Sequence, residues 1–342
     1  MLMLREVRKM MTERYLGRLS PRDRLFDYLR REIFPQLGCD CRRGIRVFGA
    51  DSSHTVCIYE DRASGRKVVG KFFYSGKHPD WEASKRHLDR EFDNIAEFRK
   101  YLGDCHYAAR ALGRNDDIGR LLVVEHCEGE PLDGVIERAA GGCAGPLYAK
   151  LSALAYFLAT VHNRSARPRG VDFSEACAHF DAMLRDVSHL MDHEECRRLA
   201  ALGEAWAHDP VMGQDREVLV HGDATPSNFL FGDGMYVIAF DLERARRADR
   251  VFDAGRVAGE LKHFFLRATG NKYASEPFIG HFLREYASHF PDRDRAFEAI
   301  CARVPFYLGT TLLRIARNGY LDRDYRRLLI REAELALRRD HP

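Results

Sequence analysis

Val218-Leu-Val-His-Gly-Asp-Ala-Thr-Pro-Ser-Asn-Phe-Leu-Phe231 is the stretch whose reading decides the fold. It lies in a β-rich interlude, residues 217–241, set between long helical stretches. Inside it His221, Asp223 and Asn228 fall in the pattern H-x-D-x-x-x-x-N. Phe229-Leu-Phe231 and Met235–Phe240 then read as a hairpin around Gly232-Asp-Gly234, whose residues suit a tight turn. The hairpin delivers Asp241 to the end of its second strand, thirteen residues past Asn228.

That spacing has a chemical logic. Asp223 can accept a hydrogen bond from a hydroxyl and orient it in line with a phosphoryl group. Asn228 can turn its amide oxygen to Mg²⁺, and Asp241 can bind the metal that bridges nucleotide phosphates. HGDATPSNFLF, together with IAFDLERARRADRVFDAG, resembles the aminoglycoside phosphotransferase family, the small-molecule branch of the protein-kinase-like fold. The resemblance matches the family's later aspartate to Asp253. It is loose over the first part of the chain and good over residues 120–260.

The resemblance implies an α+β, bilobal protein-kinase-like fold with a small β-rich N-lobe and a larger helical C-lobe. The expected boundaries are an N-terminal helical extension over 1–38, a nucleotide-binding N-lobe over 39–126 and a catalytic, substrate-binding C-lobe over 127–342. It implies ATP or GTP and Mg²⁺ as cofactors. Asp223 is the expected catalytic residue, with Asn228 and Asp241 as metal ligands.

Upstream residues suit this reading. Residues 20–37 predict a helix capped by Ser20, with Pro21 at its first position and Leu25, Phe26, Leu29 and Ile33 as its apolar stripe. Strands are expected over 45–50, 55–60 and 67–74, a helix over 81–102, and a short buried strand over 121–126. Lys71, on the third of these strands, is the expected phosphate-binding lysine. Two acids on the next helix could hold it. Glu91 shares the inward stripe of Leu88 and Ile95, whereas Glu97 falls on the polar face, so periodicity favours Glu91. Ser52 and Ser53, in the loop between the first two strands, are expected to contact phosphates. Glu125 and Cys127 match the interlobe segment whose backbone meets adenine.

Composition bounds the partners. Apolar residues make up 45% and charged residues 31%, which marks an ordinary globular chain. The net charge of +3 gives no reason to expect nucleic acid. No run of eighteen apolar residues occurs, which predicts no membrane span. Nine scattered cysteines without a C-x-x-C pair argue against a disulfide framework or zinc site and suit a cytoplasmic protein. His189 and His193 stand four apart on a predicted helix but lack a third ligand. Arg244, Arg246, Arg247 and Arg250 read as a loop-bracing surface, His162 as a packed histidine, and His221 as a brace of its loop.

The expected activity is therefore transfer of a nucleotide γ-phosphate to a hydroxyl of a small molecule. A nucleotide-binding pseudokinase and an aminoglycoside-modifying resistance kinase are the alternatives. The twelve residues from Asp241 to Asp253 leave little room for a protein kinase's peptide platform. From Asp253 onward there are 16 Lys and Arg against 12 Asp and Glu, which favours a neutral or anionic acceptor over a polycation.

Overall fold

The computed structural model describes residues 14–50, 55–76 and 79–338. The chain divides into two units. One comprises residues 1–99 and 108–128, the other residues 100–107 and 129–342.

The first unit is built on an antiparallel sheet. Its elements are β1 (Arg14–Arg18), α1 (Arg24–Tyr28), β2 (Ile45–Ala50), β3 (Thr55–Asp61), β4 (Lys67–Phe72) and α2 (Trp81–Arg99). The short β5 (His106–Ala108) joins the sheet of the second unit, and β6 (Ala111–Asn115) and β7 (Leu121–Glu125) return to the first. The order is β1-β2-β3-β4-β7-β6. Leu25, Phe26, Leu29, Ile33 and Phe34 pack onto the inward residues Ile45, Tyr59, Val68, Leu112 and Val123 to make its core.

Here the structure corrects the sequence reading. Residues before 14 lie outside the described part, but Arg14–Arg18 form an edge strand on β2 instead of a helix. Helix α1 is capped by Asp23, whose carboxylate accepts from Leu25 N at 2.9 Å. Ser20 and Pro21 therefore precede the helix. One π turn (Leu29–Ile33) and a 3₁₀ turn (Phe34–Leu37) continue it. The predicted stripe is buried as expected, but against the sheet, so this segment is part of the first unit's core and not a separate extension.

In the second unit, β8 (Glu130–Pro131) leads into α3 (Leu132–Ala140), α4 (Gly145–Ser165), α5 (Ser174–Val187) and α6 (His193–Ala207). The β interlude supplies β9 (Val218–Val220), β10 (Phe229–Phe231), β11 (Val237–Ala239) and β12 (Arg246–Ala248). Helices α7 (Val251–Thr269), α8 (Glu276–Ser288), α9 (Arg293–Cys301), α10 (Val304–Ala316) and α11 (Arg323–Leu337) complete it. One small sheet has the order β5-β11-β10-β8, and β12 pairs with β9. Helix α4 is buried almost all round, as its apolar sequence predicts. Residues 174–207 hold two of these helices, α5 and α6. The second is opened by a capping box between Asp192 and Glu195, which puts His189 and His193 on different elements. Among the described residues no single helix is long and apolar enough to cross a membrane.

Helices α7 and α10 pack unusually close. A Cβ added at Gly255 would lie 2.2 Å from Tyr307 Cβ, and one at Gly259 would lie 2.6 Å from Thr311 Cβ. Only glycine permits this approach, and it brings the side chains of the two helices to one place.

Buried histidines set an acid limit on stability. Burial pushes His106, His179 and His263 down to about 4, and lowers His162 and His289 as well. Unfolding returns each to about 6.5, so the unfolded chain binds more protons between those values. The stabilisation is present above about pH 6.5 and is lost as pH falls toward 4, at about 1.4 kcal/mol per pH unit for each proton taken up. Burial raises Asp133, Asp249 and Glu260, which act in the opposite sense. The expected result is a clear fall in the unfolding midpoint from pH 7.5 to pH 5.5 in thermal melts; a flat profile would contradict it.

Candidate active site

In the first unit, Lys71 lies on β4, flanked by Val56 of β3 and Leu122 of β7. Its Nζ donates to Glu91 Oε2 at 2.8 Å, with only 12% and 5% of the two side chains exposed. Leu88, Glu91 and Ile95 form the buried stripe of α2, so the acid that periodicity selects is the one that meets the lysine. The Lys71 ammonium also lies 5.1 Å from the Phe73 ring centroid. Glu125 ends β7, and Arg110 holds its carboxylate with a 3.0 Å ion pair. Cys127 is half-buried, and burial pushes its thiol up to about 11, so it stays protonated. Ser52 and Ser53 lie outside the described residues.

In the second unit, Asp253 organises the loop after β9. Its carboxylate is fully buried and accepts from His221 N at 2.6 Å, from Gly222 N at 3.0 Å and from His162 Nε2 at 3.2 Å. Burial alone would raise this carboxyl. The bonds and charge of His162 and His221 outweigh burial and hold it below the ordinary carboxylate range. Tyr286 Oη, 2.6 Å from His162 Nδ1, fixes that ring from its other side. Gly222 sits at φ +79°, and a Cβ there would lie 1.9 Å from the Arg244 carbonyl oxygen. Glycine is therefore required between His221 and Asp223. The His221 ring donates from Nε2 to Phe240 O at 3.2 Å and accepts from Asp223 N at 3.4 Å, so it braces the loop.

The loop turns so that Asn228 Nδ2 donates to Asp223 O at 2.9 Å. This fixes the amide and turns Oδ1, the atom suited to a hard cation, to the other side. Phe240 N donates to Asn228 O at 3.2 Å, which ties the loop to the residue before Asp241. Asp241 occupies the left-handed region at φ +59°, where few non-glycine residues are found. Its carboxylate and that of Glu243 approach within 4.8 Å. An amide oxygen and two carboxylates are a fitting donor set for Mg²⁺.

The Asp223 carboxylate has a partner that sequence reading missed. Arg314 of α10 donates from Nη2 to both Asp223 oxygens, at 2.8 and 3.1 Å, and from Nη1 to Glu260 of α7 at 3.3 Å. No local pattern marks Arg314, which stands 91 residues from Asp223. Glu243 stands two residues after Asp241, as the third residue of a D-x-E. The arginines after β11 brace the structure as expected: Arg247 bonds Ser165 O and Tyr101, and Arg250 pairs with Asp215.

The fold and these two clusters define a phosphotransferase. The model of the phosphotransferase enzyme family matches residues 44–297, and the chain belongs to that family as a small-molecule kinase. No curated protein matches it in sequence. Among solved structures it is similar to the choline kinase of Cryptosporidium parvum Iowa II, with 14% identity, a TM-score of 0.62, and coverage of 91% of this chain and 94% of that one. It is also similar to an ethanolamine kinase of Plasmodium vivax, at 14% identity, a TM-score of 0.55, and coverage of 86% and 80%. A third is the GDP complex of wild-type aminoglycoside 2'-phosphotransferase-IIIa, at 15% identity, a TM-score of 0.55, and coverage of 90% and 95%. At these identities the likeness shows the fold, which is the α+β protein-kinase-like one.

Proposed function

We propose that the chain transfers the γ-phosphoryl group of ATP, or GTP, to a hydroxyl of a small acceptor. The observation that carries this reading is the loop built on Asp253, which presents Asp223 and the amide of Asn228 from a rigid, fully buried anchor. Asp223 orients the acceptor hydroxyl and takes up its proton. The acceptor oxygen forms a bond to the γ-phosphorus, the bond from that phosphorus to the β-phosphate oxygen breaks, and the electron pair leaves with the nucleoside diphosphate. Lys71, held by Glu91, neutralises phosphate charge. Asn228 Oδ1, Asp241 and Glu243 would hold Mg²⁺, which spreads the negative charge of the phosphates. Asn228 and Asp241 would supply an amide oxygen and a carboxylate to it, and the left-handed backbone at Asp241 sets the direction of that carboxylate.

A pseudokinase reading is less well supported, because Lys71, Glu91, Asp223, Asn228 and Asp241 all keep competent side chains. The test is calorimetric titration with the nucleotide, with and without Mg²⁺. Asp241→Ala is expected to remove the Mg²⁺-dependent part of ATP binding, at least tenfold in affinity, by deleting a charged ligand. Unchanged affinity in that variant would reject the assignment.

A further inference from the structure

The backbone and the side chain of Asp223 are held by different means. Asp253 of α7 fixes the backbone of the loop, at His221 N and Gly222 N. The Asp223 carboxylate is held by Arg314, whose Nη2 donates to Oδ1 at 2.8 Å and to Oδ2 at 3.1 Å. Among the described residues no other group donates to these two oxygens. Without Arg314 the carboxylate could turn about its side-chain bonds. The same guanidinium donates from Nη1 to Glu260 of α7 at 3.3 Å.

Asp253 and Glu260 stand seven residues apart on α7, two helical turns, and so share a face. One helix therefore supports the loop twice: its backbone directly, and its carboxylate through Arg314. Arg314 in turn comes from a tightly wedged helix. Tyr307, Thr311 and Arg314 recur at helical spacing on α10, and the first two meet Gly255 and Gly259 of α7. Against α11 the fit is equally close, since a Cβ at Gly309 would lie 2.8 Å from Leu337 Cγ. The side chains of Arg314, Asp223 and Glu260 are 16%, 13% and 9% exposed, so the bridge is shielded while Asp223 still reaches the surface. Arg256 of α7 sets a second positive charge beside both acids, which leaves a counter-charge in place when Arg314 is replaced.

An ionised carboxylate offers about four lone-pair sites. Arg314 takes one on each oxygen and leaves the others to an incoming hydroxyl, so the contact orients the base without blocking it. We propose that Arg314 is a positioning residue for phosphoryl transfer, holding the Asp223 carboxylate in the one orientation that receives the acceptor hydroxyl. The inference rests on the reading of Asp223 as the residue that takes the acceptor's proton.

The test uses the full chain and MgATP alone, with water in the acceptor's place, and follows phosphate release in a single turnover. Arg314→Met keeps the length of the side chain and removes every donor. It is expected to slow release about 10–10²-fold, the loss that a displaced catalytic group brings, while a non-hydrolysable ATP analogue binds as in the wild type. Arg314→Lys is expected to recover part of the rate, because an ammonium can still bond one oxygen, and it serves should the Met variant fail to fold. The decisive measurement is the double variant. In an Asp223→Asn background, Arg314→Met is expected to cost nothing further, because its effect passes through the carboxylate. A tie that merely joins α7 to α10 would slow both backgrounds alike. That result, or a wild-type rate in Arg314→Met, overturns the positioning role. A wild-type rate in Asp223→Asn alone would instead strike the reading of Asp223. Crystal structures of the wild type and Arg314→Met give a measure independent of turnover. The Asp223 carboxylate is expected to leave its orientation in the variant, and an unchanged orientation overturns the role.

Discussion

Asp223→Asn is expected to lower phosphoryl transfer about 10²–10⁴-fold, the usual loss when a positioned general base is removed. An amide can still accept a hydrogen bond from the acceptor hydroxyl, but it cannot take the proton. Nucleotide affinity is expected to change little, because Asn228 contacts Asp223 through its main-chain oxygen, which the substitution leaves in place. Arg314 would lose one of its two carboxylate partners and keep Glu260, so the protein should remain folded. Single-turnover measurement with the true acceptor separates the two quantities. Wild-type turnover in the variant would remove Asp223 from the chemistry.

Asp253→Ala is expected to destabilise the second unit by about 3–5 kcal/mol. The carboxylate accepts three hydrogen bonds in a site with no solvent contact, and its removal leaves the donors of His221, Gly222 and His162 unpaired at about 1–3 kcal/mol each. Partial relaxation makes the total smaller than the full sum. Asp253→Asn offers little rescue. Oδ2 receives His221 N and Oδ1 receives Gly222 N, so either orientation of the amide points its NH₂ at a backbone N–H. Both variants are expected to lose much of a stability that is typically 5–15 kcal/mol for a whole domain. Urea unfolding followed by circular dichroism measures the shift, and a change below about 1 kcal/mol would show that the anchor is not needed.

What the amino-acid sequence determined by itself is short in range. The loop from His221 to Asn228 and the hairpin that ends at Asp241 are legible because their spacing, turn residues and strand alternation lie within about twenty residues. Glu91 could be preferred to Glu97 because helical periodicity alone decides which acid faces inward beside Leu88 and Ile95. The edge strand Arg14–Arg18 was not legible. It has little apolar alternation, and pairing with β2 makes it a strand. The arginine that clamps Asp223 was hidden for a related reason. Arg314 reaches the loop only because α10 packs against α7, and that approach depends on Gly255 and Gly259 lying opposite Tyr307 and Thr311. The same packing buries Arg256 beside Tyr307 and Thr311, a neighbourhood that no count of charges along the chain contains.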